Sequence, residues 1–446
     1  MSAYTWLAST VLFPLHERLK RHDSVTLRRA LERSQWLSAA EIEALQATRL
    51  QRFMQDIATR IPYYRQLFAD HGIAPDSIRS RADLVRLPPL DKSTIRSHGE
   101  AMKAPGAPLK RFNTGGSSGQ PLIFWLNERI SHDVAAKWRA TRWWDVDIGD
   151  PELVLWGSPI EVNTQDRIKQ IRDRLLRTEL VPAFDLAESG IRHFLDVYAR
   201  MRPRMLFGYP SALARIARFV ADKQITLDNS RLKVAFVTAE RLYPEQREQI
   251  QRVFGAPVAN GYGSRDAGFL AHECPHGGMH IMAEDVIIET LDSDGKPTAP
   301  EVAGEVTVTH LRTGDFPFVR YRTGDVAVLS QQPCACGRGL PLLANIEGRT
   351  TDFVVSETGT VMHGLALIYV VREIDGVESF RIIQHSQTEL EVLLVTTSWD
   401  DNRQQRVVKG MQARLGQGVR VTVSRVDHIP TEANGKFRYI ISKVAC

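Results

Sequence analysis

The residue types with the clearest chemical potential lie in a glycine- and hydroxyl-rich run at residues 113–121, which reads Asn-Thr-Gly-Gly-Ser-Ser-Gly-Gln-Pro. Its three glycines allow backbone N–H groups to turn toward phosphate oxygens, and the hydroxyls of Thr114, Ser117 and Ser118 add donors. The run lacks the Gly-Lys-Ser/Thr ending of a Walker loop, so a kinase or GTPase site would lack its lysine. Taken alone, the run is equally compatible with a surface turn.

Two further runs carry a carboxylate beside a tight turn. In residues 261–268, Asp266 stands where the third glycine of a dinucleotide fingerprint should be, so that interpretation fails. A carboxylate after the Tyr262-Gly263 turn instead suits a magnesium ion that bridges phosphates. In residues 321–325, Asp325 follows a turn where its two oxygens can accept both hydroxyls of a ribose. An ordinary turn is the alternative in each case.

Two basic side chains lie further along the chain. Arg349 follows Gly348, and Lys436 follows Gly435 on a loop whose glycine allows movement. A long mobile cation there can reach a distant site, although most exposed loop lysines are only solvated charges.

The predicted secondary structure that positions these runs changes from helices to alternating strands and helices along the chain. The first 100 residues predict helices, with a capping box at Ser38–Glu41 and a helix end or bend at Pro62. From about residue 110, short apolar runs alternate with amphipathic stretches, which predicts an α/β body with a largely parallel sheet flanked by helices. Candidate strands are 153–156, 234–237, 286–289 and 306–308, and candidate helices are 127–144, 165–177, 190–201, 210–223 and 243–254. Asp294-Gly295 predicts a hairpin turn.

The pattern changes again near residues 348–352. Strands near 379–384, 389–395 and 419–425 and a helix near 401–415 predict a small C-terminal α+β domain. We therefore predict a domain at 1–347, whose first 100 residues are a helical lead-in, and a second at 348–446 with a hinge near 348–352.

The order of these motifs resembles the adenylate-forming enzymes, and within them the phenylacetate–coenzyme A ligase-like branch. The run at 114–121 is similar to that superfamily's phosphate loop, 262–266 to its Tyr-Gly-x-Thr-Glu motif and 321–325 to its ribose motif. Residues 348–352 resemble the inter-domain hinge, and Gly435-Lys436 the catalytic lysine motif. The resemblance extends over nearly the whole chain through Pro62–Arg65, Gly208–Ser211 and Ala239-Glu240. Residues 36–65 resemble a sub-branch encoded beside capsule and exopolysaccharide genes.

The resemblance implies a large adenylate-forming domain, a mobile C-terminal lid, and use of ATP, Mg²⁺ and coenzyme A. It places Thr114, Ser117, Ser118 and Gly119 on the β and γ phosphates, Ala239 and Glu240 near the adenine, and Tyr262, with Gly263 beside it, against the adenine ring. It implies that Asp266 binds Mg²⁺ and that Asp325 and Arg349 bind the ribose. It places Lys436 between the substrate carboxylate and the α-phosphate.

Four positions depart from the family pattern. Gln120 replaces a Lys or Arg, Arg265 a Thr, Asp266 a Glu, and Thr351 the first hinge acid. Asp266 is one methylene shorter than Glu, so water is a plausible bridge to the metal, and Arg265 restores positive charge beside the phosphates. We interpret these changes as variation within a working site.

Cysteine and histidine spacing predicts a structural zinc site. Two tight clusters supply the residue types of a tetrahedral Zn²⁺ site in a reducing compartment, and the resembled branch often carries such a pattern. The preferred ligands are Cys274, His280, Cys334 and Cys336, with His276 or His272 as substitutes for His280, and Cys446 is predicted to be a free thiol. We expect a closed site that pins the hairpin region to the ATP site. Buried thiols with surface histidines are the alternative.

Composition limits the partners. Lys plus Arg number 57 and Asp plus Glu 52, a net charge of +5 spread along 446 residues that does not suggest nucleic acid. The apolar stretch at 6–15 is too short to span a bilayer and has no basic segment before it, so we predict a cytoplasmic protein, either monomer or homodimer. A helix docked on the enzyme body is the favoured interpretation of that stretch, and a weak contact with a membrane surface is the other.

The substrate is a small-molecule carboxylic acid that the sequence does not name. We expect its pocket between the phosphate loop and the 205–240 strands, with Trp138, Trp143, Trp144, Trp156 and Phe184 as candidates for an aromatic slot, although core packing is the alternative. The favoured function is an AMP-forming acid–thiol ligase that makes acyl-coenzyme A, with a role in polysaccharide biosynthesis. The competing hypotheses are an adenylating ligase that forms an amide or ester on a sugar or small molecule, and a non-catalytic protein of a polysaccharide complex.

Overall fold

A computed structural model of the chain describes residues 2–114, 122–156, 167–183, 186–349, 353–430 and 437–444. These residues divide into two compact units, the first built mainly from Met1–Thr323 and Ala327–Ile346 and the second mainly from Glu347–Glu432. The domain limits 1–347 and 348–446 stay predictions, and each unit is described by itself.

The first unit begins with helices. They are α1 (Ala3–Leu7), a π-helical turn (Ala8–Leu12), α2 (Phe13–Leu19), α3 (Ser24–Ser34), α4 (Ala39–Arg60), α5 (Pro62–Asp70), two 3₁₀ turns (Pro75–Ser77 and Arg81–Arg86) and α6 (Lys92–His98). The capping box is present, because the Ser38 hydroxyl accepts from the Glu41 N–H while the Glu41 carboxylate accepts from the Ser38 N–H. Ile61 ends α4 in an extended conformation, which the following proline favours, so Pro62 ends the helix as predicted.

A mixed sheet of eleven strands forms the centre of the first unit. Its strands are β3 (Glu152–Trp156), β4 (Thr178–Pro182), β5 (Met205–Gly208), β6 (Val234–Thr238), β7 (Val258–Ser264), β8 (Gly268–Glu273), β9 (Met279–Ile281), β10 (Val286–Leu291), β11 (Ala303–His310), β12 (Phe318–Ser330) and β13 (Leu342–Arg349). They lie in the order β10-β11-β12-β13-β9-β8-β7-β6-β5-β3-β4. A separate antiparallel pair, β1 (Lys110–Asn113) and β2 (Ile123–Leu126), precedes them.

The sheet is parallel on one side and antiparallel on the other. Strands β4, β3, β5, β6 and β7 pair in parallel, whereas β7 with β8, β8 with β9, and β10 with β11 are antiparallel. The predicted hairpin turn at Asp294-Gly295 lies between β10 and β11, and these two strands pair antiparallel as expected. The parallel strands alternate with α7 (Glu128–Arg142), α8 (Arg167–Leu175), α9 (Glu188–Met201), α10 (Pro210–Asp222) and α11 (Pro244–Phe254).

The two largest hydrophobic clusters of this unit lie on different parts of the sheet. One combines α4 and α5 with the β8–β12 side of the sheet, and the other packs α9, α10 and α11 against β3, β5 and β6. The prediction of an α/β body with flanking helices is confirmed. Among the described residues, we find no helix with the length and apolar character needed to cross a bilayer.

The second unit is a small α+β arrangement, as predicted. A hairpin of β14 (Phe353–Val355) and β15 (Val361–His363) precedes α12 (Leu365–Arg372), and a four-stranded sheet has the order β18-β17-β16-β19. Its strands are β16 (Val377–Ser386), β17 (Glu389–Thr396), β18 (Arg420–Arg425) and β19 (Ile440–Ser442), and α13 (Asp401–Leu415) lies between β17 and β18 in the chain. Val407, Met411 and Leu415 of α13 are buried.

Candidate functional site

The parallel strands bring the sequence motifs to one edge of the sheet. Strands β3, β5, β6 and β7 run in the same direction, so Trp156, Gly208, Ala239 and Tyr262 lie at or just after their carboxyl ends. In open α/β sheets this edge is where ligands bind, because the loops that leave it form a crevice.

Ala239 and Glu240 follow β6 in a fixed conformation. Ala239 has a φ of 71°, a left-handed geometry that costs a residue with a Cβ about 1–2 kcal/mol. The Glu240 carboxylate accepts a hydrogen bond from the backbone N–H of Ser211 at 3.2 Å, in the first turn of α10. Strained backbone of this kind is concentrated at functional sites.

Tyr262 and Gly263 lie within β7 rather than in the predicted turn, which residues 265–267 form, and position 263 has room for glycine alone. A Cβ placed on Gly263 would lie 2.3 Å from the carbonyl oxygen of Gly268, across the β7–β8 pair. The pairing register also shifts between Tyr262 and Gly263, as in a β-bulge, and Tyr262 is buried. The bulge directs the chain that follows toward the strand ends.

Asp266 is a buried carboxylate with two side-chain donors. Its side chain is 5% exposed, the Ser264 hydroxyl donates to Oδ1 at 2.5 Å, and the Tyr321 hydroxyl donates to Oδ2. Burial raises the pKa of Asp266, but these two hydrogen bonds and the positive charge of Lys92 outweigh it, so the pKa lies below its ordinary value. Asp266 is therefore ionised at neutral pH.

Two arginines hold the Asp266 segment. Arg129 of α7 is buried, and its guanidinium donates to the backbone carbonyls of Arg265 and Asp266. Arg265 in turn donates from Nη1 to the carbonyl oxygen of Asn113 at 3.3 Å. Sequence reasoning missed Arg129, because nothing in a helical pattern distinguishes an arginine that turns inward from one in solvent.

Asn113 lies at the base of the glycine-rich loop. The Thr114 N–H donates to the Leu122 carbonyl, and the Leu122 N–H donates to Thr114 Oγ1, both at 2.9 Å, so these residues close the loop between β1 and β2. Residues 115–121, which include the predicted phosphate-binding Ser117, Ser118 and Gly119 and the substituted Gln120, lie outside the described residues.

An aromatic series joins this hairpin to β12. Phe112 stacks on Phe124 at 6.1 Å between ring centroids, Phe124 meets Phe318 edge to face at 6.3 Å, and Phe318 meets Tyr321 at 4.9 Å. Such pairs fix relative positions through packing. The base of the loop, Asp266 and Tyr321 therefore belong to one rigid cluster.

Comparisons with known proteins show what this chain is similar to. Residues 354–443 match the family described as the CapK C-terminal domain. Protein CapK of Staphylococcus aureus is 23% identical over 410 residues, 90% of this chain and 89% of that protein. The phenylacetate-coenzyme A ligase of Thermus thermophilus is 24% identical over 333 residues, 72% of this chain and 73% of the ligase. These relatives bear out the predicted resemblance to the phenylacetate–coenzyme A ligase-like branch of the adenylate-forming enzymes.

Solved structures share the fold of this chain. A 2-hydroxyisobutyryl-CoA ligase in complex with R3-HIB-AMP has a TM-score of 0.72 at 19% identity, covering 91% of this chain and 90% of that one. At this identity the likeness concerns the fold. The predicted resemblance, including the likeness to the capsule-associated sub-branch, is supported by the CapK and ligase relatives.

The remaining nucleotide motifs of this branch are described only in part. Asp325 lies on β12, four residues after Tyr321, and is 9% exposed. Arg349 is the last residue of β13, and its side chain is outside the described set. Thr351 and Lys436 also lie outside it. Their roles, and those of Ala239, Glu240, Tyr262 and Asp266, stay predictions.

The four preferred zinc ligands lie together. The ligand atoms of Cys274, His280, Cys334 and Cys336 all lie within 4.8 Å of one another. Cys274 Sγ is 3.6 Å from Cys334 Sγ, and Cys336 Sγ is 3.2 Å from His280 Nε2. A tetrahedral zinc ion with bonds of about 2.3 Å to sulfur spaces its sulfurs by about 3.8 Å, so this set has the size and chemistry of a structural zinc site.

The surroundings of the cluster are also suited to a metal. The Nδ1 of His280 faces the Leu340 carbonyl at 3.3 Å, which directs Nε2 to the sulfurs, and burial lowers the His280 pKa to about 4, so the ring is neutral. A Cβ on Gly278 would lie 2.6 Å from Cys334 Sγ, so glycine leaves room for the sulfur. Arg338 beside the cluster packs on Trp143 and donates to Gln35 at 3.1 Å.

The substitute histidines take no part in this cluster. His272 is fully buried and stacks on Phe269 at 5.1 Å, and burial lowers its pKa to about 3. His276 is not among the four residues whose ligand atoms converge. Cys446 lies outside the described residues.

The structure gathers part of the proposed aromatic slot. Trp143, Trp144 and Trp156 pack against one core cluster, whereas Trp138 packs with Phe13 and Ile148. Trp156 also stacks on Tyr209 with 4.4 Å between ring centroids, Trp143 meets the His280 ring, and Trp144 donates to the Glu273 carbonyl. Of these four, Trp156 alone stands at a carboxyl strand end. Phe184 is outside the described residues.

Proposed function

We propose that the chain activates a small carboxylic acid with ATP as an acyl-adenylate and then transfers the acyl group to coenzyme A, releasing AMP and pyrophosphate. The observation that carries this proposal is the contact between Arg265 and the Asn113 carbonyl. It joins the base of a glycine- and hydroxyl-rich loop to an ionised, buried carboxylate, Asp266, at the ligand-binding edge of the sheet.

The nucleotide is held by several segments of the chain in this account. Thr114, Ser117, Ser118 and Gly119 bind the β and γ phosphates, Ala239 and Glu240 lie near the adenine, Tyr262 and Gly263 border its ring, and Asp325 and Arg349 bind the ribose. The fixed left-handed backbone at Ala239 supports this assignment, because it presents main-chain groups rather than a mobile side chain at the strand end.

Asp266 is the residue that would hold Mg²⁺. Its oxygens accept side-chain hydrogen bonds from Ser264 and Tyr321 and one from its own backbone N–H, and a carboxylate offers about four lone-pair positions, so it can still accept a further bond. The depressed pKa keeps the oxygens charged, as a hard cation requires. Because the side chain is short and buried, we propose that water bridges it to the ion. The ion, when bound, neutralises phosphate charge.

Lys436 supplies the charge that the first reaction needs. The substrate carboxylate must approach the α-phosphate, and a cation between the two anions lowers their repulsion as the bond forms. The residue lies in the proposed C-terminal lid, and rotation at the hinge near 348–352 would remove Lys436 after adenylation and bring another face for thiol transfer.

The Cys274, His280, Cys334 and Cys336 cluster holds Zn²⁺ as a structural ion in this proposal. All four positions come from protein, so no position remains for substrate or water. The ion would join the end of β8 to the segment before β13 and so hold the β7–β8 hairpin that carries Asp266.

The likeness to CapK supports a role in polysaccharide biosynthesis, and the use of ATP and coenzyme A supports a cytoplasmic location. The acid itself is tested by a screen. Pyrophosphate release is measured with aryl, short-chain, fatty and sugar acids, with and without coenzyme A, and product masses are recorded. Pyrophosphate release together with an acyl-coenzyme A product supports the proposal. An amide or ester product indicates the other ligase, and no release with any acid indicates a non-catalytic protein.

A further inference from the structure

The helix at residues 3–19 packs on the first unit through its small and polar side. The segments Ala3–Leu7, Ala8–Leu12 and Phe13–Leu19 follow one another without a break. Its buried residues are Thr5, Ala8, Ser9, Phe13 and Glu17. Thr5 donates to Asp150 at 2.8 Å, and a Cβ on Gly149 would lie 2.3 Å from the Ala8 Cβ. The helix is therefore held close to the unit.

The opposite side of this helix presents large apolar residues to solvent. The exposed fractions are 54% for Trp6, 38% for Leu7, 45% for Val11, 55% for Leu15 and 78% for Leu19. Positions 7, 11, 15 and 19 are four residues apart, which places them along one face. A surface helix normally buries most of its large apolar residues, whereas this helix buries Phe13 and leaves five others exposed.

Helix α8 adds to the same apolar surface. Ile171 is 58% and Leu175 46% exposed, and the Tyr4 hydroxyl donates to the Leu175 carbonyl at 2.8 Å, which places α8 beside the first helix. These two helices contribute seven of the twelve exposed large apolar side chains among the described residues. Scattered exposed apolar residues are ordinary, whereas a concentration of this kind marks an interaction surface.

The charged residues beside this surface are mainly basic. The basic ones are Arg18, Lys20, Arg21, Arg172, Arg174 and Arg177, and the acidic ones are Glu17, Asp23, Asp173 and Glu179. Glu17 is buried and accepts from the Ser24 hydroxyl, Arg172 and Asp173 pair with each other, and Glu179 is paired with Arg200. The surface therefore has an excess of positive charge available to an anionic partner.

We propose that this surface, formed by Trp6, Leu7, Val11, Leu15, Leu19, Ile171 and Leu175, binds the interfacial layer of an anionic lipid bilayer. An apolar helix face with basic flanks and an exposed tryptophan is the composition that lies in this layer. A second copy is disfavoured, because a two-fold contact would bring the same basic flanks together, whereas anionic headgroups neutralise them. This inference is independent of the proposed reaction.

Vesicle co-sedimentation tests the proposal. Phosphatidylcholine vesicles are prepared with and without phosphatidylglycerol, and the wild type is expected to bind the anionic vesicles and to dissociate as salt is added. The double substitution Leu15→Ser and Leu19→Ser should weaken binding by about tenfold or more. Arg18→Gln and Arg174→Gln should weaken it by about fivefold each.

The matched control is Val85→Ser with Val302→Ser, two side chains that are 49% and 51% exposed outside these two helices. Control and test variants should share the wild-type melting curve, and the control should bind vesicles as the wild type does. Absence of wild-type binding, or equal binding by the Leu15 and Leu19 variant, would overturn the proposal. The proposal would also be overturned if sedimentation velocity showed a wild-type dimer, the Leu15 and Leu19 variant did not form that dimer, and neither protein bound vesicles.

Discussion

The Tyr321 hydroxyl donates a hydrogen bond to Oδ2 of Asp266, joining two motifs that lie 55 residues apart in the chain. Tyr321 opens the ribose motif, and Asp266 is the carboxylate proposed for Mg²⁺. The contact therefore couples the strand that leads to Asp325 with the turn that follows Gly263, and it helps to keep Asp266 ionised.

Tyr321→Phe should lower the free energy of unfolding by about 1.5–3 kcal/mol at neutral pH, because it removes a hydrogen bond to a charged group. The native pKa of Asp266 lies below its ordinary 3.8, so its ionised form stabilises the fold above that pH. The difference between variant and wild type should therefore shrink as the pH falls through the native pKa. Urea unfolding at about pH 7 and at the lowest pH at which the wild type stays folded measures this change.

Tyr64→Phe is the matched control for that experiment. The Tyr64 hydroxyl is also buried but donates to a neutral acceptor, the Pro317 carbonyl, at 3.1 Å. Its loss should cost about 1 kcal/mol at both pH values. A Tyr321→Phe effect as independent of pH as the Tyr64→Phe effect would contradict the role assigned to the Asp266 contact.

Gly263→Ala should damage both stability and activity. The new Cβ would meet the Gly268 carbonyl at 2.3 Å, so the β7–β8 pair must shift, at a cost of about 1–3 kcal/mol. The shift would also displace Asp266, and pyrophosphate release should fall with it. Gly314→Ala is the control, since the nearest atoms to its Cβ lie at 3.4 and 3.5 Å. Equal melting temperatures and equal activities for the two variants would refute the argument.

Replacing Cys334 and Cys336 by serine should remove bound zinc and lower the melting temperature by on the order of 10 °C. Elemental analysis of the wild type should find about one zinc per chain. Cys446→Ser, at the predicted free thiol, should leave both quantities unchanged. Wild-type protein without zinc, purified without chelators, would end the zinc proposal.

Lys436→Ala should reduce adenylation by about 10²–10³-fold, as for loss of one charge-stabilising group, while most ATP binding remains. Pyrophosphate release measures the first quantity and calorimetric ATP titration the second. Lys443→Ala is the control, because Lys443 belongs to the same unit and its side chain is exposed. A parallel loss of ATP binding and adenylation in the Lys436 variant would show that the residue binds nucleotide rather than promoting the reaction.

The sequence was sufficient for features that depend on local pattern. The start of α4 at the Ser38–Glu41 capping box, its end at Pro62 and the hairpin between β10 and β11 were predicted from capping, proline and turn residues. Convergence of the three cysteines with His280 followed from residue type and spacing, because few other arrangements use these residues together.

Features that depend on distant contacts were not predictable. The inward turn of Arg129 and its hold on the Asp266 segment require the packing of α7 against β8, which no local pattern encodes. The separation of Trp138 from Trp156 has the same cause, since each lies in a different core cluster. The exposure of five large apolar residues on the 3–19 helix also became visible only when its buried side was known.

Oxygen transfer from the acid to AMP distinguishes an acyl-adenylate from other routes of activation. An acyl-adenylate forms when a carboxylate oxygen attacks the α-phosphorus, and thioester formation then breaks the acyl carbon–oxygen bond, leaving that oxygen on AMP. With the active acid labelled by ¹⁸O in its carboxylate, we expect AMP that carries one ¹⁸O and an acyl-coenzyme A product by mass spectrometry. Unlabelled AMP, or label found in inorganic phosphate with ADP, would contradict the acyl-adenylate route.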